Sequence, residues 1–304
     1  MVAPRVFDRP LLLQRRRRAL DLGPATFLLD RVAEDMADRL AATLRTFAAA
    51  VDLGTPGGAV RAALAAHPRI GTLFGVDTLA GDSRTTGLSV VADEEVLPFA
   101  DASLDLVTSG LALHSVNDLP GTFAQIRRAL RPDGLFIAAL LGGATLTELR
   151  QSFAAAETEC EGGLSPRVAP FADIRDIGAL LQRAGFALPV TDVDAVTVRY
   201  ASPFALVQDL RRMGATNPLV ERRRVPLRRA TLMRAMQIYA ERFSDPDGRV
   251  RATFEIVWLS GWSPHESQQK PLKPGSATAR LADALGTTEI STGEKAEPGK
   301  KPQP

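Results

Sequence analysis

Five short apolar runs, each followed by a polar or glycine-bearing stretch, set the tightest limit on how this chain can fold. They are Ala48–Leu53, Thr72–Val76, Ser89–Val91, Leu104–Thr108 and Leu135–Leu140. Between them apolar residues recur at helical spacing, as in Phe27, Leu28, Val32, Met36, Leu40 and Leu44, so the stretch from Pro24 to Phe47 is expected to be helical. Arg61–Ala66 and Phe123–Leu130 carry two more expected helices, and Arg131-Pro132-Asp133-Gly134 an expected turn. Strands without polar alternation must be covered on both faces, which is the situation of a parallel sheet wrapped by helices. The pattern therefore predicts an α/β, doubly wound, mostly parallel sheet.

The later chain changes character. Ile174–Ala184 is expected to be helical, Val193–Tyr200 a strand, and Phe204–Phe243 mostly helical and basic. Thr253–Trp262 returns to strand composition and would complete the sheet around a helical insertion. The expected organisation is an N-terminal arm over residues 1–23, a core over 24–200, an insertion over 201–252, a final strand and core portion over 253–286, and a polar, disordered tail over 287–304.

With 37 basic against 35 acidic residues and a net charge of +2, the chain gives no general case for nucleic acid. Its one cysteine, Cys160, excludes an internal disulfide framework and a CxxC metal site. No apolar run is long enough to span a bilayer, and Met1–Pro10 lacks the apolar segment of a secretory signal. A cytoplasmic protein with at most peripheral membrane association is expected. Positive charge is concentrated in Arg15–Arg18 and in Arg211-Arg212, Arg222–Arg224 and Arg228-Arg229. These clusters read as solvated helix faces or as a docking surface for an acidic partner.

Ligands of an open parallel sheet collect beyond the carboxyl ends of its strands. The first strand ends in Asp52-Leu53-Gly54-Thr55-Pro56-Gly57-Gly58, where glycine lets a ligand approach the backbone. Asp77 closes the second strand, and a carboxylate there can accept hydrogen bonds from both hydroxyls of a ribose. The loop does not have the G-x-G-x-x-G spacing that a pyrophosphate requires. Asp52 would repel a pyrophosphate but suits the ammonium of a methionine moiety, so the cofactor expected is S-adenosylmethionine. Asp93, with Glu94, follows the third strand and suits the adenine amino group. The candidate cofactor residues are Asp52, Gly54, Thr55, Gly58, Asp77, Asp93, Glu94 and Ser109, and the candidate catalytic residue is His114, in the loop after the fourth strand.

Together, Asp52-Leu53-Gly54, Asp77, Ala92-Asp93-Glu94-Glu95 with Leu97-Pro98-Phe99, and Arg131-Pro132-Asp133-Gly134 resemble class I adenosylmethionine-dependent methyltransferases. Longer motifs lie outside that core: Leu113–Pro120, Gly142–Arg150, Glu157–Gly163 and Gly261–Gln268, with Phe7-Asp8-Arg9 near the start. They resemble a family of mitochondrial complex I assembly factors related to the biotin-pathway methyltransferase BioC. The likeness runs from Phe7 to about Ala277. It implies a seven-stranded Rossmann-like fold, a protein or carrier-bound substrate, and either methyl transfer or hydroxylation of an arginine on a respiratory complex I subunit. A non-catalytic assembly chaperone is the third reading. No presequence is visible, so the chain is expected to be a bacterial relative. Pro56 stands where the family has the middle glycine of its loop, and Ser115 where it has a tryptophan. A hydroxylase iron is commonly held by two histidines and a carboxylate. With His67 at an early helix end, only His114 and His265 form a candidate pair, and no metal site is assigned.

Overall fold

The computed structural model describes residues 5–79, 87–269 and 281–288. Its strands are β1 (Phe47–Leu53), β2 (Ile70–Asp77), β3 (Ser89–Val91), β4 (Leu104–Gly110), β5 (Leu130–Leu141), β6 (Ala187–Tyr200) and β7 (Val250–Trp262). They form one seven-stranded sheet in the order β3-β2-β1-β4-β5-β7-β6. Pairing is parallel from β3 through β5, and β7 alone runs against its neighbours β5 and β6. The expected doubly wound, mostly parallel sheet is borne out. Its strand order reverses between β1 and β4, the switch point at which open α/β sheets bind ligands.

The helices are α1 (Arg9–Asp21), α2 (Phe27–Ala41), α3 (Ala59–Leu64), α4 (Leu119–Ala129), α5 (Thr147–Glu161), α6 (Ile174–Arg183), α7 (Pro203–Arg212) and α8 (Arg229–Phe243). Several begin where the sequence supplies a cap. Asp8 accepts from Leu11 N (3.1 Å) at α1, Asp118 from Gly121 N (2.8 Å) at α4, and Asp173 from Arg175 N (2.8 Å) at α6. Residues from α2, α3, α5, α7 and α8 form one hydrophobic core against the sheet, and residues from α4 and α6 form the other. Val32, Met36 and Leu40 of α2 are fully buried, each worth about 1.5–3 kcal/mol relative to exposure.

The structure differs from expectation in several places. The N-terminal arm is helical from Arg9. Leu44 lies beyond the end of α2 and is 85 % exposed. The expected turn at Arg131–Gly134 falls inside β5, where Asp133 N donates to Ser263 O (2.9 Å) and Ser263 N to Gly134 O (2.8 Å). Pairing with the final strand thus recruits a segment whose local chemistry favours a turn. The basic stretch after Tyr200 is mostly helical as expected, with α7 and α8 joined by residues 213–228. Beyond His265 a second unit begins, whose described residues include a short helix α9 (Leu281–Leu285). From residue 289 the expected tail lies outside the described residues. No helix among the described residues is long and apolar enough to cross a membrane.

Candidate active site

At the switch point β1 delivers Asp52 into the interior and then turns sharply. Gly54 adopts φ +71° and donates its N–H to Val76 O (2.7 Å). Gly57 and Gly58 are also left-handed, at φ 65° and 66°, a region that glycine enters without the steric cost other residues meet. Pro56 opens this turn at a position where its missing N–H is tolerated.

Asp52 is 2 % exposed. Thr55 Oγ1 donates to its Oδ1 (2.5 Å), and Thr108 Oγ1 lies 3.2 Å from the same oxygen. Burial raises its pKa to about 7, and the threonine hydrogen bonds offset only part of that effect. Thr55 Oγ1 also accepts from Gly110 N (2.8 Å), and Ser109 Oγ donates to Leu53 O (2.7 Å). Asp52, Gly54, Thr55, Gly58 and Ser109 therefore build and fix the loop from beneath. None of them lines the cavity that opens above it.

That cavity measures about 660 Å³ and runs from Pro56, Gly57 and Asp77 past His114 toward the helical insertion, within the usual size range of small-molecule sites. Asp77, at the end of β2, takes Leu79 N (3.0 Å) on Oδ1. Burial raises its pKa, while the Leu79 N–H and the positive charge of Arg16 act the other way. His114 sits in a short 3₁₀ turn, Leu113–Ser115. Its ring borders the cavity and meets Phe171 edge-on, with centroids 5.7 Å apart. Its enclosed Nδ1 makes no hydrogen bond. Burial first, and Arg16 second, push its pKa down to about 3, so the imidazole is neutral at physiological pH.

The acidic pair after β3 is engaged by the N-terminal helix. Arg9 Nη2 pairs with Asp93 Oδ1 (2.8 Å) and with Glu94, while Arg16 Nη1 lies 3.4 Å from Glu94 Oε1. The Glu94 side chain is 1 % exposed and that of Asp93 41 %. Glu94 thus anchors α1 to the loop, and Asp93 keeps an open side. Asn117 fastens the start of the chain by accepting from Val6 N (2.9 Å) and Phe7 N (2.8 Å). The basic clusters divide in the same way. Arg17 and Arg18 are exposed, whereas Arg16 lines the cavity, Arg222 pairs with Asp8 (3.0 Å) and Arg223 with Glu161 (2.5 Å).

Arg9 and Arg16 are site residues that the sequence reading missed. Leu12, Arg16 and Ala19 share one helical face, and that spacing was the available signal. His265 is exposed and does not line the cavity. Among the described residues no group of three His, Cys, Asp or Glu side chains is placed to hold a metal.

A methyltransferase domain model matches residues 51–138. The mitochondrial arginine-hydroxylase NDUFAF5 of Homo sapiens is 41% identical over 307 residues, covering 98% of this chain and 87% of that protein. A malonyl-[acyl-carrier protein] O-methyltransferase of Gallionella capsiferriformans is 38% identical over 177 residues, 58% of each chain. Among solved structures, the YcgJ protein of Bacillus subtilis shares the fold with a TM-score of 0.53 at 14% identity, over 77% of this chain and 99% of that one. The domain-model match, residues 51–138, begins in β1 and ends in β5, so it spans the loop, Asp77, the acidic pair and His114.

Proposed function

The chain belongs to the family of the mitochondrial arginine-hydroxylase NDUFAF5, and on that footing we propose that it is an S-adenosylmethionine-binding enzyme acting on a side chain presented by a partner protein. One observation supports the cofactor above all others. Asp77, at the carboxyl end of β2, lines the same cavity as Pro56 and Gly57, one strand away from the sheet's switch point. A carboxylate so placed can take both hydroxyls of a ribose, and Gly57 meets the cavity with no side chain. Asp93 is the acceptor proposed for the adenine amino group, through the side that Arg9 leaves open. Asp52 lies under the turn, so its part is to hold Thr55 rather than to touch the methionine moiety. When bound, adenosylmethionine supplies an electrophilic methyl group on a sulfonium centre.

His114 is proposed as the residue that orients the substrate's reacting group. A histidine with a pKa near 3 carries a proton poorly at neutral pH, but it can steer a donor by accepting a hydrogen bond. The substrate proposed is a subunit of respiratory complex I, a choice supported by the family motifs at Gly142–Arg150 and Glu157–Gly163.

Arginine hydroxylation is the second activity in view, favoured by the name that the 41% identical human relative carries. The cofactor part is tested by calorimetry with S-adenosylhomocysteine, and absence of binding at millimolar ligand sinks it. The reaction is tested by intact-mass analysis of the partner subunit after incubation. A gain of one methylene marks methyl transfer, a gain of one oxygen marks hydroxylation, and an unchanged mass rejects both.

A further inference from the structure

Five arginines line the cavity: Arg15, Arg16, Arg167, Arg211 and Arg212. Most are committed elsewhere or face solvent. Arg167 gives Nε and Nη2 to the buried Glu157 (2.8 and 2.5 Å). Arg212 gives Nε to Gly23 O (2.7 Å), Arg15 bonds Thr216 O, and Arg211 is exposed. Arg16 is different. Its side chain is 11 % exposed, and the one side-chain hydrogen bond it makes among the described residues, from Nη1 to Glu94, is long at 3.4 Å.

Arg16 lines the same cavity as Asp77 and His114. Its charge acts on Asp77 at the proposed ribose end and on His114 at the proposed reacting end. The methionine arm of the cofactor branches from the sulfur that joins the ribose to the methyl group, and it carries a carboxylate that must be met on the same cavity wall. A carboxylate taken into a partly apolar cavity needs a cation or several N–H donors. The β1 loop offers no cation, and the nearest charged group of that motif, Asp52, is sealed beneath it.

We infer that Arg16 of the N-terminal helix receives the carboxylate of the cofactor's methionine moiety. This rests on the cofactor reading above. It moves recognition of the amino-acid half from the glycine turn to a helix outside the sheet. The Glu94 carboxylate then serves to aim Arg16, leaving the guanidinium donors not directed at Glu94 for the ligand.

Calorimetry with two probes tests the assignment. S-adenosylhomocysteine carries the carboxylate, whereas 5′-methylthioadenosine keeps the nucleoside and thioether and lacks the amino acid. Arg16→Gln is expected to weaken S-adenosylhomocysteine by about 10- to 100-fold, the worth of a charge-assisted hydrogen bond. It should leave 5′-methylthioadenosine within about twofold, and Arg16→Lys should recover part of the loss. Arg9→Gln, which loosens α1 without touching the cavity lining, should change both probes by one common factor. Equal weakening of both probes by Arg16→Gln would show that Arg16 merely holds α1, and would overturn the assignment. So would unchanged S-adenosylhomocysteine binding, or an Arg9→Gln loss confined to that probe. A wild-type protein that binds neither probe rejects the cofactor reading and takes this assignment with it.

Discussion

Gly54→Ala forces two separate costs that can be worked out from the coordinates. Gly54 holds φ +71°, and a non-glycine residue in that region loses about 1–2 kcal/mol. The added Cβ would also lie 2.7 Å from Glu94 Oε1, 2.8 Å from Glu94 Cγ and 3.1 Å from Ala112 Cβ. Glu94 can retreat only by loosening its pairs with Arg9 and Arg16 in a site where it is 1 % exposed. Breaking a buried ion pair costs about 3–5 kcal/mol. Arg9 keeps Asp93, which places this loss near the lower bound of about 3 kcal/mol. The sum is roughly 4–5 kcal/mol, a large part of the stability of an ordinary domain. Urea unfolding of wild type, Gly54→Ala, Glu94→Ala and the double variant separates the two contributions. With Glu94 already truncated, Gly54→Ala should cost only the backbone share of about 1–2 kcal/mol. A single-variant loss under about 1 kcal/mol, or an equal loss in both backgrounds, refutes the reasoning.

Asp52 and His114 give opposed pH dependences. The folded pKa of Asp52, about 7, lies above its ordinary 3.8, so its contribution is present at low pH and is lost as pH rises through 7. Asp52→Asn should therefore be more stable than wild type at pH 8, by up to about 4 kcal/mol, with the two converging near pH 4 in chemical denaturation. A wild type more stable at pH 8 contradicts this. The folded pKa of His114, about 3, lies below its ordinary 6.5, so its contribution is present above pH 6.5 and is lost as pH falls toward 3. His114→Gln should remove an acid-side slope of up to about 1.4 kcal/mol per pH unit, leaving the Asp52 slope uncovered between pH 4 and 6.5. The same shift predicts that turnover has no inflection near pH 6.5 that disappears in His114→Gln, and such an inflection would reject its neutral role.

β1, β4 and β5 were legible because burial on both faces leaves an uninterrupted apolar signature. Ser89–Val91 was placed to the residue by its composition although all three residues are exposed, and Asp77 was singled out because it closes the apolar run of β2. Arg131–Gly134 was misread, since its proline and glycine describe local preference while Ser263, far along the chain, supplies the pairing. The site divided along the same line. His114 and Asp77, singled out for their places beyond strand ends, both line the cavity. The role of Glu94 was not, because it depends on Arg9 and Arg16, which sit 85 and 78 residues away in sequence. Arg16 looked like one member of a solvated run because charge alone does not reveal which face of a helix is turned inward.

The docking of the N-terminal segment against the connection between α7 and α8 bears on the order in which the molecule is made. Phe7 bridges Leu219, Asp8 N donates to Pro218 O (2.8 Å), Val220 N donates to Val6 O (3.0 Å), and Arg15 reaches Thr216 across 201 residues. Contacts so distant in sequence form slowly, because the loop-closure entropy precedes any gain from the contact. During synthesis α1 therefore waits without its partner until the chain near residue 220 has emerged, and the roof of the cavity closes only after the parallel strands β1–β5 beneath it have been made. A ligand that binds only the closed form favours this closure by mass action. The cofactor is in that sense a folding partner for the first helix, and refolding followed at α1 should quicken when S-adenosylhomocysteine is present.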